Sequence, residues 1–600
     1  MTAGTISTSI VGPFYLSNNY NPLSITATGA INATGTSYGL FGGAGTAWTV
    51  INDGAVTASN YGVKLNGPGT ISSTGTIAGD DGIYLGQGGS VSIIGGIVSG
   101  SGTLLGSGFH GTGIFVSSTA AGIITNSATV TGANYGVALN GGGEVTNSGS
   151  IFGGGHDAIK FDNQPGTVVN SGRVVGAADD GIGLIAGGAV SNQAGGFISG
   201  PNGGVYIKPA DATVTNAGTI TTTGTNGVAV FFANGGTVTN NAGGTLISNT
   251  AVIIHTGAGF IDNSGGITGT TSYGVQLGAG GQITNTGSIA GFFRAVQLST
   301  GGGTVTNNGL IAGSGSSSAG VGNKTAGLPA VVTNTGTISG VGYGIALDGG
   351  GAVTNTSGMI TGGEDGIRIG IKGATAASGS IINSASIIAT VDDGIGLFGG
   401  GSVTNNATGV IAGATAKGAG VYITGAIGTV TNAGTITGSS YGVDLLAGGT
   451  VTNSGTISGT ATTAHAVTFG GAVANRLVLG PTAVFIGDVV GSTTAGSSNT
   501  LELAAGTTGT ISGASGTAGT VAMNGHTWSF SNFSNVALDT GAVWVLNGSS
   551  AVTGSLSVAS GATLASGTLT VAGTITNSGT ISSNRLVLDP TAVFIGDVVG

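Results

Sequence analysis

The chain has 600 residues, of which 128 are glycine, 40% are hydrophobic and 5% are charged, with a formal net charge of −10 and no cysteine. The lack of cysteine excludes disulfide scaffolds, thiolate metal sites and cysteine nucleophiles. With only 11 Lys and Arg and no basic run, the chain lacks the clustered cations that nucleic acid or an anionic membrane surface would select, and its apolar fraction is too high for a flexible linker.

The N-terminal stretch "MTAGTISTSIVGPFYLSNNYNPLSI" has neither the positive n-region nor the continuous apolar segment of a Sec signal. Residues 1–23 are therefore read as an N-terminal cap. No window offers eighteen apolar residues free of Gly, Thr or Asn, so no membrane-spanning helix is expected.

From residue 24 to 470 one pattern repeats. "VTN" occurs nine times, and "ITN", "VVN", "VSN", "IDN" and "IIN" fill the gaps. The Asn serves as a ruler: Asn126, Asn147, Asn170, Asn192, Asn216, Asn240, Asn263, Asn285, Asn307, Asn334, Asn355, Asn383, Asn405, Asn432 and Asn453. Eleven of the 14 steps are 21 to 24 residues, and the other three are 27 or 28. Each repeat reads as three short segments: the "VTN" stretch, a "SGTISG"-like stretch, and a "YGVQL" or "DGIGLFGGG" stretch. All alternate apolar with small polar residues and favour Val, Ile and Thr, which is strand chemistry. Glycine every few residues would cost a helix about 1 kcal/mol each.

Three strands in about 22 residues make one coil of a parallel β-solenoid. The fold expected is an all-β, right-handed parallel β-helix; steps of 21 to 24 residues with three unequal strands suit the right-handed type better than the 18-residue left-handed one. The recurring Asn belongs in a corner, where stacked amides bond to one another. About twenty-five coils at ~4.8 Å make a rod on the order of 120 Å. Longer breaks at Ser99 to Ala121 and Ala312 to Ala330 are candidate display loops. Trp48, Trp528 and Trp544 are read as core plugs or coil caps, and the Thr of each "VTN" as an outward ladder.

Residues 471–600 form a second β-solenoid repeat class. "NRLVLGPTAVFIGDVVG" from Asn475 and "NRLVLDPTAVFIGDVVG" from Asn584 differ only at Gly480 and Asp589. The chain stops at the end of the second copy, so missing C-terminal sequence is expected, which would carry an outer-membrane anchor or secretion module.

"VTNSGTISG" coils followed by "NTLELAAGTTGTISG…VALDTGAVWVLNGSSAV" resemble the passenger regions of bacterial autotransporter and hemagglutinin-like adhesins with autotransporter-associated β-strand repeats. The resemblance covers about Ser24 to Gly600. It implies a secreted or cell-surface structural and adhesive rod, extracellular or on the bacterial surface, with a receptor or glycan partner not identifiable from the residues. The chain departs from that pattern in lacking an extended signal peptide and C-terminal barrel strands.

The acids form the one constellation with chemical potential. "DDGIGL" occurs at Asp179 to Leu184 and again at Asp392 to Leu397, with "DDGIYL" from Asp80 and "EDGIRI" from Glu364. The slot before the small residue holds, in chain order, Tyr61, Asp81, Tyr135, Asp157, Asp180, Gly203, Asn226 and Thr250, and later Asp365 and Asp393. The small Gly or Ala that follows reads as a tight corner. Asp157 with Asp180, and Asp365 with Asp393, are expected on adjacent coils. His156, Lys160 and Arg173 lie near the first pair in sequence; Glu364, Arg368, Lys372 and Asp392 lie near the second. Stacked carboxylates raise one another's pKa and could make a general acid. The alternative function is accordingly a polysaccharide-active β-helix lyase, hydrolase or epimerase. Against it, there is no Gly-His-Gly and no tight Arg-x-Lys, so the preferred reading is non-enzymatic. The five histidines share no ligand spacing, and neither a metal nor a cofactor is expected.

Overall fold

A computed structural model describes residues 4–102, 110–208, 212–323, 328–371, 373 and 377–596. It is an all-β parallel solenoid of about 25 coils, three strands to a coil over most of its length. A single 3-10 turn, Asn18–Tyr20, is the one helical element among the described residues, and no helix there is long and apolar enough to cross a membrane. By compactness the chain divides into two units, Met1–Gly301 and Gly302–Gly600.

A coil of the first unit shows how the sequence builds the fold. Gly166–Asn170 lies in the first sheet, Arg173–Gly176 in the second and Ile182–Leu184 in the third. Each pairs in parallel with its counterpart one coil on, Asn170 opposite Asn192, Val174 opposite Ile198 and Leu184 opposite Ile207. Alternation puts Val168, Val174, Ile182 and Leu184 at 0% exposure inside the coil, where each buried aliphatic contributes about 1.5–3 kcal/mol. Thr167 faces out. The Gly-Gly before the next "SN" segment has φ of 91° at Gly187 and 131° at Gly188, a region that side-chain-bearing residues avoid.

The segment 1–23 contributes strands to all three sheets: Gly4–Ile6, Ser9–Val11 and Phe14–Tyr15 pair with the next coil. Both expected display loops also contain third-sheet strands, Ile114–Val116 and Ala319–Asn323. Ile114, Val116 and Val321 are fully buried, so the core claims part of each stretch. Residues 103–109 and 324–327 of those stretches lie outside the described residues.

The small residue of the third segment owes its size to packing. At Gly181 a Cβ would come within 2.7 Å of the Gly204 carbonyl and 2.8 Å of Ile198 Cγ2, and its φ lies outside the left-handed range. The expected corner is thus a close approach to the second sheet, which Ala158, Ala229 and Ala251 also fit at 0% exposure. One slot occupant also differs from expectation. Val228, not Asn226, pairs with Gly203 and Thr250, because Ala229 rather than Gly227 takes the small inward position.

In the second unit the coil changes after Asp488–Val490. A hairpin of Gly519–Met523 and His526–Ser531, antiparallel to each other, interrupts the parallel stack. The coils beyond it carry one short strand and one long one, as in Asn535–Leu538 with Val543–Val552. The two near-identical strings consequently occupy different sheets. Asn475 to Leu479 pairs in the first sheet with Gly449–Asn453 and Ser498–Leu503, whereas Asn584 to Leu588 ends a long third-sheet strand. The partner on the preceding coil decides the sheet. Trp48, Trp528 and Trp544 are all buried, and Trp544 Nε1 donates to Thr507 Oγ1 at 2.9 Å.

Candidate functional site

The Asn series is placed at the last position of each first-sheet strand, 0–1% exposed throughout. In the first unit each Nδ2 from Asn126 to Asn263 donates to the Oδ1 of the next, ending at Asn285, at 2.7–2.8 Å. In the second unit the same chain runs from Asn307 to Asn453 at 2.8–2.9 Å. The second N–H is used locally: Asn240 also donates to the Gly244 and Gly266 carbonyls. Buried amides are tolerated because their donors are satisfied in this way. Leu479 takes the slot after Asn453 and ends the ladder.

The four singled-out aspartates fall into two clusters, one per unit, each with a third member. Asp157, Asp179 and Asp180 each offer a carboxylate oxygen, and these lie within 4.8 Å of one another; Asp365, Asp392 and Asp393 do the same. The backbone N–H of Asp180 donates to Asp157 Oδ1 at 3.1 Å, and that of Asp393 to Asp365 Oδ1 at 3.2 Å. Such clusters have the donor set for a cation. In the first, the Lys160 ammonium already stands 2.9 Å from Asp157 Oδ2.

Burial comes first among the causes that raise these acids. It pushes Asp180 up to about 8, with the charges of Asp157 and Asp179 adding to it. It pushes Asp365 up to about 7, assisted by Asp393 and Asp392. Asp157 is also raised by burial, against the opposing Lys160 charge. Each cluster therefore holds one carboxyl that keeps its proton well above the ordinary carboxylate range, as a general acid must.

Of the residues near the first pair in sequence, only Lys160 joins it. His156 stacks on Tyr135 with centroids 4.9 Å apart, and Arg173 sits on the second sheet over Phe197. Near the second pair, Asp392 joins. Arg368 is turned to Asp348 at 2.7 Å and over the Tyr343 ring, and Glu364 accepts from the Tyr343 hydroxyl. Lys372 lies outside the described residues.

The fifth residue of "DDGIGL" carries a role that composition hides. Gly183 sits in an outward column of the third sheet, between Lys160 and Tyr206. A Cβ there would meet Asp157 Oδ2 at 2.3 Å and Lys160 Cδ at 3.3 Å, so the missing side chain lets the buried carboxylate reach its ammonium. Gly203 acts likewise for Asp180, whose Oδ1 lies 2.5 Å from a Cβ built there. In the third variant, "DDGIYL", Tyr84 fills the fifth position and packs edge-on between Tyr61 and Phe115. Asp81 there accepts from the Thr112 N–H at 3.0 Å.

Beside the first cluster runs a groove of about 380 Å³, lined by Lys160, Asp179, Asp180 and Asn202 together with Tyr206 and Phe231. Tyr206 and Phe231 stack almost parallel, 2° apart with centroids 5.4 Å apart. In the second cluster the Phe398 ring takes the corresponding space, its Cε2 3.2 Å from a Cβ built on Gly396. No family model matches this chain, and no curated protein matches it.

Proposed function

We propose that the chain is a structural repeat scaffold displayed at the cell surface or secreted, adhesive rather than enzymatic in action. The observation that supports this reading most is the Asn ladder. Buried amides join coil to coil, eight in the first unit and seven in the second, and in the second they maintain one register across breaks of 27 and 28 residues. A uniform scaffold of this sort suits a role in which repeated coils hold a binding face away from its base. The test has two arms on producing cells. Protease treatment of intact cells removes the chain, and deletion of its gene lowers attachment to glycan- or protein-coated surfaces. A chain protected from protease, or attachment unchanged by deletion, would overturn the reading.

A second reading, a polysaccharide-active enzyme, is favoured by one observation: in two places adjacent coils bring three carboxylates within 4.8 Å of one another, with Asp180 pushed up to about 8 and Asp365 to about 7. Asp180 would be the general acid of the first cluster, with Asp157 and Asp179 as the basic partners. Asp365 would be the acid of the second, beside Asp393. Turnover of any polymer in a polysaccharide panel that is lost in Asp180→Asn or Asp393→Asn carries this reading, and a panel without turnover removes it.

A further inference from the structure

We infer that the groove between Lys160 and the Tyr206–Phe231 stack is a binding subsite for a neutral pyranose unit of a glycan. The column around it repeats about every 4.8 Å along the coils, and Gly183 leaves one rung without a side chain. Lys160 and Tyr206 thus stand two rungs apart, about 9.6 Å, and the slot between them is floored by the Asp157 carboxylate and the Lys160 chain, which a Cβ on Gly183 would meet at 2.3 and 3.3 Å. One face of Tyr206 is covered by Phe231, and the other is turned toward that slot. An aromatic face beside a narrow slot is the surface onto which the C–H face of a pyranose packs.

The polar side of the slot fits the same ligand. Asp180 is only 9% exposed and lines the groove, yet among the described residues its carboxyl makes no hydrogen bond or ion pair. That carboxyl faces the groove and can bond a sugar hydroxyl there. Asn202 lies alongside, its Nδ2 donating to Asp179 Oδ1 at 3.0 Å and leaving its amide oxygen to accept from a hydroxyl. The ligand's charge follows from the cluster. Three carboxylates within 4.8 Å, with Lys160 engaged by Asp157, repel a uronate and admit an uncharged ring. The volume of about 380 Å³ is within the range of small-ligand sites.

The inference deepens the adhesive reading by naming its ligand class, but binding by the purified chain stands or falls without surface display, so the two can fail separately. The experiment is an array of neutral oligosaccharides (glucans, mannans, galactans, xylans and chitin fragments) beside uronate oligosaccharides, followed by titration of any hit. A neutral hit should weaken at least tenfold in Tyr206→Ala and in Asp180→Asn, the latter preserving shape if the former does not fold. Tyr422→Ala, at the matching place in the second unit, should bind as wild type. Binding without product carries the subsite and counts against the enzyme; binding with product carries both. No neutral hit, a preference for uronates, or a hit indifferent to Asp180→Asn would overturn the subsite.

Discussion

The same six residues, "DDGIGL", build two clusters whose surroundings give them different chemistry. At Asp157/Asp179/Asp180 a lysine is locked to the buried acid, the Asp180 carboxyl bonds no other described residue, and a groove opens beside an aromatic stack. At Asp365/Asp392/Asp393 the arginine is drawn off to Asp348, Asp393 Oδ1 accepts from the Ala419 N–H at 2.7 Å, and Phe398 covers Gly396. In a solenoid the residues that surround a motif come from the coils before and after it. A motif in one coil therefore specifies half of a site.

The largest expected contrast is in pH dependence. Asp180 and Asp365 have folded pKa values near 8 and 7 against an ordinary 3.8. Between those limits the folded state keeps a proton that the unfolded state releases, so stability is full below pH 4 and falls as pH rises. The fall should end near pH 8 for Asp180 and near pH 7 for Asp365. Melting temperatures from pH 4 to 9 should show Asp180→Asn gaining on wild type up to about 8, and Asp365→Asn gaining less and levelling about a unit earlier. Parallel curves for wild type and both variants would show that the carboxyls titrate normally.

Next in size is the loss of the paired cation. Asp157 is 1% exposed and depends on Lys160, so Lys160→Met should cost about 3 kcal/mol or more at pH 8. Arg368→Met removes a pair whose members are 20% and 11% exposed, and should cost roughly half as much. Urea midpoints of the two variants measure the difference; equal shifts would erase the contrast between clusters. Smaller again is the glycine effect. Gly183→Ala puts a methyl 2.3 Å from Asp157 Oδ2, while Gly396→Ala meets the edge of the Phe398 ring at 3.2 Å and Asp365 Oδ2 at an ordinary 3.5 Å. The first should cost about 1–3 kcal/mol, as overpacking does, and the second well under 1.

Much of this was legible from residues alone, and the exceptions share a cause. Periodicity at Asn126 to Asn453 reports which residues stack, since the ladder needs the same side chain at the same phase. It likewise puts Asp157 beside Asp180. It is silent on direction: Lys160 and Arg173 are both close to Asp157 in sequence, and only the sheet each occupies separates them. Absent side chains leave even less trace. Gly183, Gly203 and Gly396 stand among 128 glycines, and their roles emerge only from what a Cβ would strike. The strings at Asn475 and Asn584 make the same point at the scale of strands, since near-identical residues enter different sheets on different preceding coils.

A small stability effect should carry the sharpest functional contrast. The residue following each hexapeptide is Ile185 in the first cluster and Phe398 in the second. Ile185 lines the groove, whereas the Phe398 ring lies over Gly396, 5.9 Å from the Tyr422 centroid. Exchanging them tests whether this one position opens or shuts the slot. Both side chains are half-buried, so each single exchange should move stability by about 1 kcal/mol or less, chiefly through the ring–ring packing that it removes or adds. Binding should move far more. Ile185→Phe should abolish the oligosaccharide hit of the first unit, its ring occupying the place of the sugar. Phe398→Ile should not create an equal site, because Asp393 remains bonded to the Ala419 N–H and Asp444 rather than an aromatic ring follows Tyr422 in the column. A Phe398→Ile chain that binds twice the ligand would show that the slot alone suffices and that the unpartnered carboxyl contributes nothing.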